Sequence, residues 1–595
     1  MSQNVAVISS DNTIKEYKMK KKDSQYETID KTLHAAMSKL TLGLSPSALM
    51  AAYTDWAVHL ASSPGKQAHL LEKSARKSAR LGSYLGDCTA KQGQNDACIE
   101  PLPFDKRFSD PAWQKWPFNI LHQSFLLNQQ WWSNATTGVG GVTKQHENVM
   151  EFATRQMLDI FSPSNYLLTN PQLIEQTKKE GGQNLMRGMK NLMDDMQRTI
   201  SNKKPAGTEE YTVGKNLAVT PGKVVYRNRL IELIQYEPVT EEVRTEPILI
   251  VPAWIMKYYI LDLSAQNSLV KYLTEQGFTV FIVSWKNPDE DDRDLGMADY
   301  RKLGVMDAID TIDKITDGAK IHGLGYCLGG TLLSIAAAAM SRDGDDRIQS
   351  VSLLATQVDF SEAGELMLFI NESQVSFLED MMWEQGYLDA KQMSGAFQLL
   401  HSNDLIWSRM VHDYLMGERT PINDLMAWNF DTTRMPYKMH SQYLRKLFLD
   451  NDLTEGRYLV DDKPISISDI RAPAFVVGTQ KDHVAPWHSV YKFHLLSDTD
   501  VTFLLTSGGH NAGIVSEPGH PRRSYQMATT TKEAKYIDPD SWETKQAHHE
   551  GSWWPELAKW LHNHSSELTV PPTMGAAKKK RSVLCDAPGT YILQD

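Results

Sequence analysis

Apolar positions in the first part of the chain recur at helical spacing, as between Ala35 and Leu60, inside a polar stretch rich in Lys, Ser, Ala and Gln. That stretch, 1–100, reads as partly helical or disordered. From Pro101 to about Lys204 the pattern is of helices separated by Pro and Asn signals, at Pro111-Ala112-Trp113, Ser162-Pro163-Ser164-Asn165 and Asn170-Pro171. We take 101–229 as a helical N-terminal domain. From about Leu230 the pattern changes. Short β-branched runs now alternate with helix-like text: Ile248 to Val251, Thr279 to Val283, Ile321 to Gly325, Val351 to Leu354, Phe475 to Val477 and Val501 to Leu505. Asn267 to Gln276 and Asp307 to Ile315 supply helices between them. Such alternation predicts an α/β fold, a parallel sheet with helices on both faces.

The rhythm breaks between Leu354 and Phe475. Aromatic-rich helical text fills the gap, at Leu366 to Trp383, Asp404 to Met416 and His440 to Phe448. The interval is too long for a loop, so we read a cap inserted at about 356–465 of a catalytic domain spanning 230–565. A cap shelters or admits a substrate. Residues 566–595 read as a C-terminal tail.

Composition narrows the class. The 595 residues are 41% apolar and 23% charged, with a net charge of −11, so no overall basic field favours nucleic acid. The basic clusters Lys18 to Lys22 and Lys578 to Arg581 read as solvated tails. The longest apolar stretch, Leu332 to Met340, is about half of a membrane span, and the N-terminus has no secretory pattern. Cys88, Cys98, Cys327 and Cys585 suit neither a disulfide framework nor a metal site, which points to a reducing, cytoplasmic setting.

The most specific motif is Gly325-Tyr326-Cys327-Leu328-Gly329-Gly330. It follows a strand-like run and opens a helix-forming one, the context of a nucleophile elbow. Glycines flank the nucleophile because a Cβ there would strike the neighbouring strand and helix. The nucleophile is then the thiol of Cys327, whose thiolate the helix N-terminus would favour. The plainer reading is a buried core cysteine beside a chance glycine pair.

This fold orders nucleophile, acid and base along the chain, each on a loop after a strand. Asp482 follows Ala474 to Val477, and His510 follows Val501 to Leu505 and two glycines. Asp359 and Asp498 compete for the acid, and His322, His440, His483, His488 and His520 for the base. No H-E-x-x-H, Cys/His metal spacing, P-loop or dinucleotide fingerprint is present. Trp553-Trp554-Pro555 reads as core or cap packing.

These residues, with Asp105 to Phe108, Ser162 to Tyr166, Leu217 to Val225, Lys257 to Asp262, Val283 to Pro288, Asn403 to Trp407, Lys481 to His483 and Gly551 to Pro555, resemble the polyhydroxyalkanoate synthases. The similarity is greatest to the class I type that makes poly(3-hydroxybutyrate), and runs from about Asp105 to the C-terminus. It implies an α/β-hydrolase fold with an inserted lid. The family's triad falls on Cys327, Asp482 and His510. The implied reaction polymerises (R)-3-hydroxyacyl-CoA, with release of CoA through a Cys327-bound acyl group. The oxyanion would meet backbone N–H groups of Leu328 and of Trp254 or Ile255. Asn451 and His483 fall at positions associated with the CoA channel. The resemblance further implies no cofactor or metal, a homodimer, and work on cytoplasmic polyester granules with granule-associated proteins.

Three departures stand out. Met256 replaces an Asn before Lys257-Tyr258-Tyr259, Asn511 an Ile after His510, and His401 an Arg at the channel. A Cys-type hydrolase, a thioesterase or dienelactone-hydrolase-like enzyme, would share the elbow but use water as acceptor. A granule scaffold would leave the triad idle.

Overall fold

The computed structural model describes residues 25–41, 43–90, 97–103, 105–389, 392, 406–575 and 583–594. Eleven strands form one sheet. In chain order they are β1 Gly222–Arg227, β2 Ile231–Tyr236, β3 Ile248–Val251, β4 Val280–Trp285, β5 Ile321–Tyr326, β6 Ile348–Leu354, β7 Ala474–Thr479, β8 Val501–Thr506, β9 Ser524–Thr530, β10 His549–Glu550 and β11 Cys585–Asp586. Across the sheet they run β10-β9-β8-β7-β6-β5-β3-β4-β2-β1-β11. The six from β8 to β4 pair in parallel. Both flanks are antiparallel.

Strands β3, β4, β7 and β8 are buried along their whole length, which is why they read as largely apolar runs instead of alternating ones. All six runs expected from the sequence are strands, and both expected helices form, α8 Leu269–Glu275 and α9 Asp307–Ile315. Helix α10, Leu328–Arg342, is buried from Leu328 to Met340. Its alanines let it lie close against the sheet.

Two expected boundaries move. The sheet begins at Gly222, inside the stretch assigned to the helical domain. Strands β1 and β2 form a hairpin with β4 as their neighbour, so no helix intervenes to announce them. Residues 583–594 are no detached tail. They add β11 to the sheet edge, bury Ile592, and bring Thr590 and Tyr591 N–H groups to the buried Glu232 carboxylate at 2.8 and 2.9 Å.

Ahead of the sheet lie α1 Gln25–Leu40, α2 Pro46–Ala61, α3 Pro64–Ala90, α4 Phe118–Thr136, α5 Lys144–Ile160, α6 Pro171–Lys179 and α7 Gln183–Ile200. Between β6 and β7 stands the cap, including α11 Glu372–Gln385 and α12 Tyr437–Tyr443, the latter continuing as a π-helix to Leu449. Helix α13, Trp554–Asn563, closes the core. Among the described residues no helix is long and apolar enough to cross a membrane.

Candidate active site

Strand β5 ends at Tyr326 and α10 begins at Leu328, leaving Cys327 alone in the turn with φ 52° and ψ −125°. A non-glycine residue there is strained. The strain is held by the Cys327 N–H, which donates to Leu354 O at 2.9 Å, and by Thr356 Oγ1, which donates to Cys327 O at 3.1 Å. The glycines around it are there for space. A Cβ on Gly325 would lie 2.3 Å from Gly330 Cα, and one on Gly329 would lie 2.1 Å from Val251 O.

His510, on the loop after β8, interacts electrostatically with Cys327, and its Nδ1 donates to Asp482 Oδ2 at 2.8 Å. Burial opposes a charge on this imidazole. Asp482 and Cys327 outweigh it and hold the pKa well above the ordinary histidine value. Asp482, on the loop after β7, has a fully enclosed side chain. It also accepts from Thr479 Oγ1 at 2.8 Å and from the Val484 and Ala485 N–H groups at 2.9 and 2.8 Å. Burial raises its pKa, but the His510 charge and these donors bring it below the usual carboxylate value. The arrangement brings together a thiol, an imidazole and a carboxylate, the last two hydrogen-bonded.

The Cys327 side faces a cavity enclosing about 140 Å³ and lined chiefly by apolar groups. Ile255, Leu328, Thr331, Ala355, Gln357, Val484 and Ala485 come to it from the core, and Phe360, Tyr443 and Phe448 from the cap region. The loop after β3 crosses the start of α10 and is tied to the cap, since Thr433 Oγ1 donates to Trp254 O at 2.5 Å and Thr433 N–H to Ile255 O at 3.2 Å. Thus Leu328 and Ile255 sit at the cavity. Trp254 does not; it is buried against Trp285 and Tyr300.

Family models match three parts of the chain. One described as Poly-beta-hydroxybutyrate polymerase (PhaC) N-terminus matches residues 104–273, one described as Poly-beta-hydroxybutyrate polymerase N terminal matches 24–66, and one described as alpha/beta hydrolase fold matches 246–516. The poly(3-hydroxyalkanoate) polymerase of Methylorubrum extorquens is 40% identical over 534 residues, covering 88% of this chain and 87% of its own. The chain belongs to the poly(3-hydroxyalkanoate) polymerase family. A second relative, the polymerase subunit PhaC of Rhizobium etli, is 36% identical over 527 residues, covering 87% and 82%. Its fold is that of an α/β-hydrolase with a cap and a helical N-terminal region.

Within this polymerase-family chain the competing residues have other employment. His322 is buried between Ser350 Oγ at 2.7 Å and Ser565 Oγ at 2.9 Å, and burial pushes its pKa down to about 4. His488 pairs with Asp540 at the surface, and Asp498 with Arg471. Asp359 caps Ser361. His440 lies in the cavity wall, buried and with its pKa pushed down to about 4.

Asn451 and His483 do not line the cavity. Asn451, in a left-handed conformation at φ 48°, accepts from Phe360 N–H at 3.1 Å and so positions a lining residue. His483 is exposed beside Asp482. His401, with Asn403 and Asp404, lies outside the described residues. The departure at Asn511 has a role. Its Oδ1 accepts from Tyr326 Oη at 2.6 Å and its Nδ2 donates to Asn429 Oδ1 at 3.2 Å, linking the elbow strand to the cap. Met256 forms a bridge to Thr432.

Sequence reading missed most of the cavity wall, because its residues come from segments with no shared spacing. It also understated Trp553 and Trp554. Their Nε1 groups donate to Gly513 O and Ile514 O at 2.9 and 3.0 Å, fixing the loop that carries His510. Among the described residues no group of three His, Cys, Asp or Glu is placed to hold a metal ion.

Proposed function

We infer that this chain polymerises (R)-3-hydroxyacyl groups from CoA thioesters, with Cys327 as the acyl carrier. The observation that carries the reading is the strained Cys327, set against the hydrogen-bonded His510–Asp482 pair at the edge of a largely apolar cavity. His510 takes the thiol proton as Sγ attacks the thioester carbon, the oxyanion is met by the Leu328 N–H and one from the loop at Ile255, and His510 gives that proton to the departing CoA sulfur. A 3-hydroxyl then attacks the acyl–Sγ bond. His510 takes the hydroxyl proton and returns it to the sulfur as the ester forms.

Thioester exchange onto a thiol is nearly thermoneutral, so the acyl group keeps its activation until the oxoester forms. A largely apolar wall favours an acyl acceptor over water. Asp482 acts through His510, since its carboxylate is enclosed and all its contacts are to His510, Thr479, Val484 and Ala485. Asp482→Asn is therefore expected to lower kcat by about 10²–10⁴-fold while leaving KM for substrate within a few-fold. Steady-state CoA release measures it, and a change confined to KM would remove Asp482 from this role.

The decisive assay mixes the protein with (R)-3-hydroxybutyryl-CoA and follows free CoA and chloroform-soluble polyester together. Matched release and polymer support the synthase. CoA release with only free 3-hydroxybutyrate would mean a thioesterase. Because the product is insoluble in water, we further place the enzyme at the polyester surface, which co-sedimentation with granules tests.

A further inference from the structure

The wall of the cavity at Cys327 does not come from core and cap alone. Gly43 and Leu44, in the turn between α1 and α2, line it beside Leu366, Phe369, Ile370 and Leu378. A Cβ built on Gly43 would touch Leu378 Cδ2 at 3.9 Å, so the turn rests directly on cap helix α11.

The turn is latched. Gln374 of α11 is buried, its Oε1 accepts from the Ser45 N–H at 2.8 Å, and its Nε2 donates to Gly43 O at 2.7 Å. Both ends of one amide thus hold one turn, and a buried amide robbed of its partners is penalised heavily. Helix α1 is fastened along α11 by His34–Asp380 at 2.7 Å, Lys39–Glu384 at 3.1 Å and Lys31 Nζ 5.4 Å from the Trp383 ring centre. Ser45 also caps α2, accepting from the Ala48 N–H, so the turn is fixed from both sides. A tail that merely tethers the protein needs none of this at the cavity that Cys327 also lines.

We propose that the turn at Gly43–Ser45 is a wall of the acyl site, and that Leu44 sets how long an acyl side chain the enzyme accepts. This rests on the acyl-transfer reading of Cys327, because the acyl group on Sγ must occupy the cavity that the sulfur faces. A longer monomer carries extra methylenes into a wall of fixed size. One methylene in an apolar pocket is worth about 10–200-fold in discrimination, so one wall residue is enough to move selectivity.

The test compares Leu44→Ala and Leu44→Trp in the full chain, with (R)-3-hydroxybutyryl-CoA and (R)-3-hydroxyhexanoyl-CoA. Leu44→Ala is expected to raise the hexanoyl-to-butyryl ratio of kcat/KM by about fivefold or more, and Leu44→Trp to lower it by a similar factor. Gln374→Leu, which alters a second lining residue and removes both hydrogen bonds of the latch while keeping Leu44, is expected to shift the ratio in the direction of Leu44→Ala and decides the case if the tryptophan variant does not fold. Ratios unmoved in the folded variants would overturn the proposal. Failure of the acyl-transfer reading has a different signature, CoA release that survives Cys327→Ala.

Discussion

Cys327→Ala is expected to lower both CoA release and polyester formation by about 10⁴-fold or more, with the fold intact. Alanine keeps the Cβ and the strained turn, and loses the atom that bonds to substrate. The remaining oxyanion donors and cavity still bind, so thioester affinity should change little. CoA release at a tenth of the parent rate would remove Cys327 from the mechanism. The same variant has a second readout. Cys327 is one of the two groups that hold the His510 imidazole above its ordinary pKa, and Asp482 is the other. Removing the sulfur is therefore expected to move the His510 titration downward, while the remaining carboxylate keeps it from falling freely. Ring-proton NMR of the two proteins compares them, and an unchanged titration would mean that the thiol and imidazole do not share charge.

Gly329→Ala is expected to destabilise the protein by about 3 kcal/mol or more, and to abolish activity with it. The added methyl would lie 2.1 Å from Val251 O and 2.5 Å from Pro252 C, both backbone atoms at the end of β3. Relief requires moving either the strand or the helix, and the two together define the elbow and the loop at Ile255. The control is Gly82→Ala in α3, where a Cβ meets nothing within 4 Å. Helix propensity alone makes that change neutral or stabilising by up to about 1 kcal/mol. Denaturation midpoints measure both, and equal effects would show that space at the elbow is not what selects glycine.

Much of the catalytic domain was legible because its physics is local. Parallel strands buried on both faces must be continuous apolar runs, and β3 to β8 were found on that signal alone. The elbow was legible because glycine is demanded by contact at fixed offsets from one residue. Asp482 and His510 were legible because each ends a strand in a known chain order. The antiparallel hairpin β1–β2 escaped, since no helix follows it, and so did β11, whose two residues carry no periodicity at all. The backbone N–H expected from Trp254 or Ile255 belongs to the loop after β3, where Ile255 lines the cavity and the Trp254 ring packs against Trp285 and Tyr300.

The sequence by itself determined the parallel centre of the sheet, the elbow and the chain order of Cys327, Asp482 and His510, because each depends on neighbours along the chain or on one strand end. Only the tertiary structure decided the shape of the cavity at Cys327. Its wall joins Leu44, Phe360, Tyr443 and Val484, residues from four separate parts of the chain. No spacing rule relates them, since they share nothing before the N-terminal turn, the cap and the sheet have packed. The Gln374 latch belongs to the same class. An amide glutamine in a cap helix has no visible destination until the Gly43–Ser45 turn arrives to satisfy both its ends.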